Sequence, residues 1–168
     1  AMNISFLRTT LLYLLLTVPS SGSTNTVLVP ENEIIPTIDH LRTTSIITRF
    51  LSNYHYKPTP LNDELSTRVL ESLIDSLDPM RLYFTASDLN LIYQKELLFD
   101  NYLRSANLQP FFEIFKEYRK KLIEQTNYAL HLIESDLDFT IDEYTELDRK
   151  KIDRALNKDD LNELWRKR

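Results

Sequence analysis

Glycine is almost absent from this chain of 168 residues, in which Gly22 is the only one. Tight β-hairpins and phosphate-binding loops usually need glycine, because glycine adopts positive φ angles at little cost. Glycine-rich nucleotide-binding motifs and the G-x-S-x-G motif of serine hydrolases therefore cannot occur in the chain after residue 22. The rest of the chain is rich in Leu, Ile, Glu, Lys and Arg, which favour helices. The sequence predicts an all-α fold, an irregular multi-helix bundle of about five or six helices with no sheet.

Residues 1–23 have the order of regions that is typical of a secretory signal peptide. Ala1 before Met2 is interpreted as a remnant of cloning, Arg8 supplies the positive charge, and residues 11–18 form an apolar run. The small residues 21–23 allow cleavage directly after them. A membrane anchor and a buried N-terminal helix are the alternatives, but a spanning helix needs about 20 apolar residues. We expect export through a cleavable signal peptide, with no stable membrane anchor after cleavage.

The remaining chain divides into an arm and a helical domain. Residues 24–36 are polar and contain two prolines, which predicts a linker or a disordered arm. Residues 37–168 carry helical periodicity and are assigned to one helical domain. In its second predicted helix, leucine or valine recurs at every fourth position over residues 61–77. Thr59 is the predicted cap of this helix, and Pro79 is predicted to end it.

Further helix starts are predicted from capping residues. Two capping boxes occur, at Thr85–Asp88 and at Thr140–Glu143. The longest helix is predicted over Leu108–Glu134. Its predicted buried stripe consists of Phe111, Phe115, Tyr118, Leu122, Ala129 and Ile133. A last helix is predicted from Asn157, and its apolar face around Trp165 predicts an interface with a partner outside this chain; docking onto the bundle is the alternative.

No residue pattern predicts a catalytic, cofactor or metal site. The chain has no cysteine, which excludes thiolate catalysis and cysteine-based zinc sites. Asp136, Asp138 and Asp142 begin like a calcium loop, but Ile141 stands where an EF-hand needs glycine and Leu147 where it needs glutamate. The histidines lie in different predicted elements and lack metal-ligand spacing; they are His40, His55 and His131. The net charge of −5 argues against nucleic acid as a partner.

The most distinctive part of the sequence is LDPMRLYFTASDL, residues 77–89, which we call the signature segment. It resembles the L-D-P-x-R-x-Y-F-x-x-S-D signature in the N-terminal domain of bacterial tail-specific proteases, members of the C-terminal processing peptidase family. Other stretches that match the family follow its order: His55-Tyr56, Phe111–Tyr118, Asp138-Phe139, Glu143, Asp148-Arg149 and Leu164–Arg168. The chain departs from the pattern over residues 150–157, where relatives usually carry a short stretch with proline and tryptophan.

The resemblance implies a parent protein that is a periplasmic serine protease, with a PDZ domain for apolar tails and a Ser-Lys dyad. No position of this chain matches either part, so we expect no catalytic residue here and a chain truncated before the PDZ and catalytic domains. The implied role is a non-catalytic helical scaffold that helps to position or enclose protein substrates and contacts adaptors. Its implied partners are the PDZ and protease domains of the parent chain, protein substrates and a periplasmic adaptor. A stand-alone periplasmic protein-interaction or chaperone-like module, and a small ligand- or metal-binding bundle, are the alternatives.

Overall fold

A computed structural model of the protein describes residues 29–53, 60–135 and 137–168. These ranges contain six α-helices and no strand, which confirms the predicted all-α fold. The helices are α1 (Ile38–Asn53), α2 (Asp63–Leu77), α3 (Ala86–Tyr93), α4 (Phe99–Arg104), α5 (Gln109–Ile133) and α6 (Lys158–Lys167). Short 3₁₀ turns lie at Glu31–Glu33 and Glu96–Leu98. The predicted signal peptide and the first residues of the predicted arm lie outside the described residues.

The core lies where α2, α3, α4 and α5 meet the signature segment. It consists of six buried apolar side chains: Leu70, Ile74, Phe84, Leu89, Phe99 and Ile114. Phe84, from the signature segment, is fully buried, and its ring centroid lies 6.0 Å from that of Tyr118 on α5. Phe99 meets Phe111 edge to face, with ring centroids 5.1 Å apart. Full burial of such a side chain stabilises a fold by roughly 1.5–3 kcal/mol, so the signature segment is part of what holds this fold together.

The start of α2 differs from the prediction, whereas its end agrees. The helix begins after Asn62, whose side chain accepts a backbone N–H of the first turn at 3.0 Å. The predicted cap, Thr59, lies outside the described residues. At the other end Leu77 is the last helical residue, and Asp78 has φ −134° and ψ 63°. The proline at position 79 disfavours the α region for Asp78, which gives the helix a sharp end.

The long helix α5 occurs as predicted, but its predicted buried stripe is wrong in part. Phe111 and Tyr118 pack partly buried against the core, whereas Phe115 is 39% exposed and Ile133 is 76% exposed. The side chains that are buried on this helix are Ile114 and Gln125. They lie eleven residues apart, three helical turns, so the inward face is rotated from the predicted one. Because this inward face also carries polar residues, the spacing of hydrophobic residues in the sequence does not reveal it.

The capping box predicted at Thr140–Glu143 does not open a helix. Residues 137–157 contain no helix, and we call residues 137–156 the strap. The hydroxyl and backbone N–H of Thr140 both donate to the carboxylate of Asp138, at 2.6 and 2.9 Å. Glu143, which a capping box would turn back onto the helix start, instead pairs with Arg166 of α6. The side chains of Thr140 and Glu143 are thus bonded to other groups, so neither is available to cap a helix that begins at this position.

The last helix, α6, is docked on the fold, so the prediction of an unfinished interface around Trp165 is wrong. Asn157 caps the helix as predicted and accepts the N–H groups of Asp159 and Asp160. Leu161 is 1% exposed. The indole Nε1 of Trp165 donates to the carbonyl oxygen of Leu82 at 2.8 Å. The helix therefore packs against the signature segment, which was the alternative.

Candidate functional site: the strap and its anchors

Asp78 is the centre of the contacts between the signature segment and the strap. Its side chain is 1% exposed. One carboxylate oxygen accepts the backbone N–H of Leu82 at 2.7 Å, and the other accepts that of Phe84 at 3.1 Å. A desolvated carboxylate is costly unless its oxygens are bonded. These bonds fold residues 78–84 into a tight turn around the carboxylate.

Arg154 of the strap completes the surroundings of Asp78. Its guanidinium pairs with one carboxylate oxygen of Asp78, and only 10% of the Arg154 side chain is exposed. The same guanidinium donates to the carbonyl oxygens of Phe84 and Asp78, each at 3.4 Å. Removal of one member of such a buried pair leaves the other charge uncompensated. Arg154 therefore holds the end of the strap on the signature segment.

Arg81 makes a second anchor from an unfavourable backbone conformation. Its φ angle is 57°, in the left-handed region that usually favours glycine. Its side chain donates from Nη1 to the carbonyl oxygen of Ile152 in the strap at 2.6 Å. A non-glycine residue in this region costs roughly 1–2 kcal/mol. The turn has an arginine at this position in spite of the cost in free energy. The side chain of Arg81 connects the turn to the strap.

A third anchor joins the strap to the first turn of α3. The backbone N–H of Ala86 donates to the carbonyl oxygen of Ala155 at 2.9 Å, and the hydroxyl of Ser87 donates to that of Leu156 at 2.7 Å. The capping box predicted at Thr85 is present here. Its Asp88 also accepts from Lys121 of α5 at 2.7 Å. Burial by itself raises the pKa of Asp88, but the bonds from Lys121 and Thr85 outweigh it and lower the pKa below its ordinary value.

The first half of the strap is held by α6. The Nη1 and Nη2 atoms of Arg166 donate to the two carboxylate oxygens of Glu143, at 2.7 and 2.6 Å. Arg166 also bonds Glu163 on its own helix, at 2.8 Å from Nη2. Hydrogen bonds from Arg166 and from Lys167 lower the pKa of Glu163 to about 2. The hydrogen bond from Arg166 likewise lowers the pKa of Glu143. The four charges keep α6 and the strap together.

On both sides of the Glu143 anchor the strap exposes large apolar side chains. Phe139 is 89% exposed and Tyr144 is 90% exposed. Ile141 and Leu147 are also exposed, at 54% and 59%. Single exposed apolar residues are normal on protein surfaces, but four within nine residues of one irregular segment are a concentration that suits contact with a protein. The strap is therefore the candidate interaction site of this domain.

The residues that could carry chemistry are not brought together. The ring of His40 lies at a tilt beside that of Phe112, with centroids 5.7 Å apart, and His131 lies at the far end of α5. His55 and Asp136 lie outside the described residues. Among the residues the structure describes, no group of three or more acidic, histidine or cysteine side chains is placed to hold a metal ion. None of the described helices is long and apolar enough to cross a membrane.

Comparison with known proteins identifies the family. The family model for the tail-specific protease N-terminal domain matches residues 47–168. This chain belongs to that family. The match contains the signature segment, the strap and α6, which are the parts that the anchors hold together. The tail-specific protease of Haemophilus influenzae is 30% identical over 140 residues, which cover 81% of this chain and 20% of that protein. The chain thus spans about a fifth of the length of this curated relative.

In this tail-specific protease N-terminal domain, sequence reasoning identified the signature segment but missed its main partner. Arg154 lies within residues 150–157, the stretch that departs from the family pattern. A signal was present in Asp78, since a carboxylate next to a helix end in an apolar turn needs a cation. The sequence offers many arginines and lysines, so the choice of Arg154 depends on the path of the strap.

Proposed function

We propose that this chain is the non-catalytic scaffold domain of a periplasmic tail-specific serine protease. In this role it helps to position or enclose protein substrates and contacts an adaptor. Its membership of the N-terminal domain family supports a parent protease. The cleavage chemistry and the recognition of apolar tails then belong to the Ser-Lys dyad and the PDZ domain that the resemblance implies for the parent. The domain described here contributes a surface.

The observation that carries the proposal is the combination of exposure and anchoring in the strap. Phe139 and Tyr144 are almost fully exposed, yet they flank Glu143, which Arg166 holds, and Arg154 fixes the far end of the same segment. An irregular segment with no other function gains nothing from large exposed apolar groups. A surface that is held in place before binding loses less conformational entropy when a partner docks. The strap therefore suits contact with a protein.

The decisive experiment uses the parent protease with all its domains. The double variant Phe139→Ser/Tyr144→Ser is compared with the wild type and with Ile133→Ser, an apolar residue at the end of α5 that is 76% exposed and lies outside the strap. Loss of apolar interface anchors costs at least about 1 kcal/mol, so degradation of a folded protein with an apolar tail should slow about fivefold or more. Cleavage of a short unstructured peptide should be unchanged, since the dyad is intact.

Three results would contradict the proposal. The double variant and Ile133→Ser could slow degradation equally, which would remove any special role from the strap. Peptide cleavage could fall with protein degradation, which would place the strap near the chemistry. The isolated chain could itself cleave an unstructured substrate in an inhibitor-sensitive manner after contaminants are removed, which would give this domain a nucleophile of its own.

The periplasmic location is part of the same proposal and rests on residues 1–23. Material made from the initiator methionine in an exporting bacterium should be processed next to Ser23, as the small residues there allow. N-terminal sequencing of the periplasmic fraction checks this. Unprocessed protein retained in the cytoplasm would refute it.

A further inference from the structure

An open apolar groove lies between α3 and the first half of α5, and no residue of the strap lines it. Its volume is about 290 Å³. Phe99 and Ile114 line its base and are 2% and 7% exposed, whereas Leu91 of α3 lines its rim and is 68% exposed. An exposed leucine beside an apolar depression gains stability when another apolar group covers both of them.

Each of the two helices presents one face to the groove. The wall from α5 has the spacing i, i+3, i+4 and i+7: Pro110, Glu113, Ile114 and Glu117. The wall from α3 has the first three positions of the same spacing: Asp88, Leu91 and Ile92. Residues at these spacings are neighbours on one side of a helix. Seven residues of helix extend about 10 Å, so the α5 wall is about two turns long.

The helical walls determine which backbone conformation suits an occupant. Backbone N–H and C=O groups inside a helix are bonded within that helix, so these walls lack the row of free partners that an extended strand needs. The polar backbone of a strand would lose water there without gaining hydrogen bonds, which costs free energy. A helical segment satisfies its own backbone and can place apolar side chains between the walls, so the groove favours a helix.

Carboxylates outnumber amines along the groove. Asp88, Glu113 and Glu117 line it, together with the amine of Lys95. Lys121 neutralises Asp88 at 2.7 Å and lies 4.0 Å from Glu117. Glu113 has no ion pair with any residue that the structure describes. The α5 wall therefore carries negative charge that the domain does not compensate fully, and a cationic side chain on an occupant would be attracted to it.

We propose that this groove binds an amphipathic helix of a protein partner, with large apolar side chains between the walls and lysine or arginine along α5. Lys95 follows the end of α3, so it repels a basic residue on that side and restricts the orientation of the bound helix. This site is separate from the strap and does not depend on the proposed function.

The test titrates the chain into fluorescently labelled, alanine-based helical peptides and follows their anisotropy. The lysine peptide has leucines at positions i, i+4 and i+7 and lysines along one flank. The glutamate peptide has glutamates in place of the lysines, and the serine peptide has serines in place of the leucines. The lysine peptide should bind saturably and at least about threefold more tightly than the glutamate peptide, because exposed charge pairs contribute modestly. The serine peptide should not bind, since it lacks the apolar anchors.

Substitutions at exposed positions locate the binding site, and circular dichroism verifies that each variant is folded. Leu91→Ser should weaken binding of the lysine peptide about fivefold or more. Leu130→Ser, at a position of α5 that is 56% exposed and lies outside the groove, should leave it unchanged. Glu113→Lys should reverse the preference, so that the glutamate peptide binds more tightly. Glu71→Lys, the same change of charge at an exposed position of α2, should not reverse it.

Equal binding of the lysine and glutamate peptides by the wild type, or unchanged binding by Leu91→Ser, would overturn the inference. Self-association of the chain that Leu91→Ser abolishes would also overturn it, because the groove would then belong to a second copy. The strap variant Phe139→Ser/Tyr144→Ser should bind the lysine peptide as the wild type does, and weaker binding would move the site to the strap. Failure of the groove in these assays leaves the role of the strap in protein degradation intact.

Discussion

At the scale of single residues, Asp78 joins two parts of the chain that are far apart in sequence. Its carboxylate accepts N–H groups of the turn that follows it and pairs with Arg154, 76 residues later. Both charges are almost fully desolvated, so each depends on the other. One carboxylate thus determines the shape of the signature segment and the path of the strap.

Breaking this pair should destabilise the protein strongly. Arg154→Ala leaves Asp78 buried and unpaired, which should lower the free energy of unfolding by about 3–5 kcal/mol. Urea denaturation followed by circular dichroism gives the value. Lys151→Ala, an exposed neighbour, should cost less than about 0.5 kcal/mol. A loss below 1 kcal/mol for Arg154→Ala, with an intact strap, would mean that water or another residue compensates Asp78.

Arg81 offers a test of backbone strain. Its φ of 57° suits glycine, so Arg81→Gly should be more stable than Arg81→Ala by about 1 kcal/mol, although both lose the bond to Ile152. Arg68, exposed in the middle of α2, is the matched control. There the glycine variant should be less stable than the alanine variant by about 1 kcal/mol. The same order of stabilities at both positions would show that Arg81 is not strained.

At the scale of elements, the sequence was most informative where a local signal decides the structure. The capping box at Thr85–Asp88 and the cap at Asn157 were both predicted, because the bonded groups lie within three residues. The similar pattern at Thr140–Glu143 failed, because Glu143 bonds Arg166, 23 residues away. The preference of Glu143 for Arg166 over a helix cap cannot be read from a short stretch of the sequence.

The inward face of α5 was mispredicted for a related reason. Ile114 and Gln125 are its buried residues, and Gln125 donates weakly to Asn162 of α6 at 3.5 Å. Lys121, on the same side, bonds Asp88. A polar partner on another element lets a polar residue face inward, so hydrophobic periodicity alone selects a stripe that is wrong in part.

This difference can be measured with two neighbouring substitutions. Ile114→Ala removes a side chain that is 7% exposed and should lower the free energy of unfolding by about 2–5 kcal/mol. Phe115→Ala removes a larger side chain that is 39% exposed and should cost about 1 kcal/mol or less. Denaturant midpoints for both variants decide the orientation of the helix. A greater loss of unfolding free energy for Phe115→Ala than for Ile114→Ala would instead support the buried stripe predicted from the sequence.

At the scale of the whole molecule, stabilising contacts are distributed unevenly. None of the residues of α1 is buried, and this helix meets the rest through contacts such as the hydroxyl of Thr48 to the carbonyl oxygen of Leu103 at 3.4 Å. From α2 onward the fold has a buried core, and the strap and α6 close over the signature segment. The domain therefore combines a firmly anchored body with one helix that lies on its surface.

The long separation between Asp78 and Arg154 has a consequence for how the protein is made. Synthesis proceeds from the N-terminus, so the ribosome releases Asp78 about 76 residues before its partner, and Leu82 is released 83 residues before the indole of Trp165. Until then the growing chain carries an uncompensated carboxylate at the point where its core must close. We therefore expect the nascent domain to close this part of its core only after residues 154–165 have been translated, because the partners of Asp78 and Leu82 lie there.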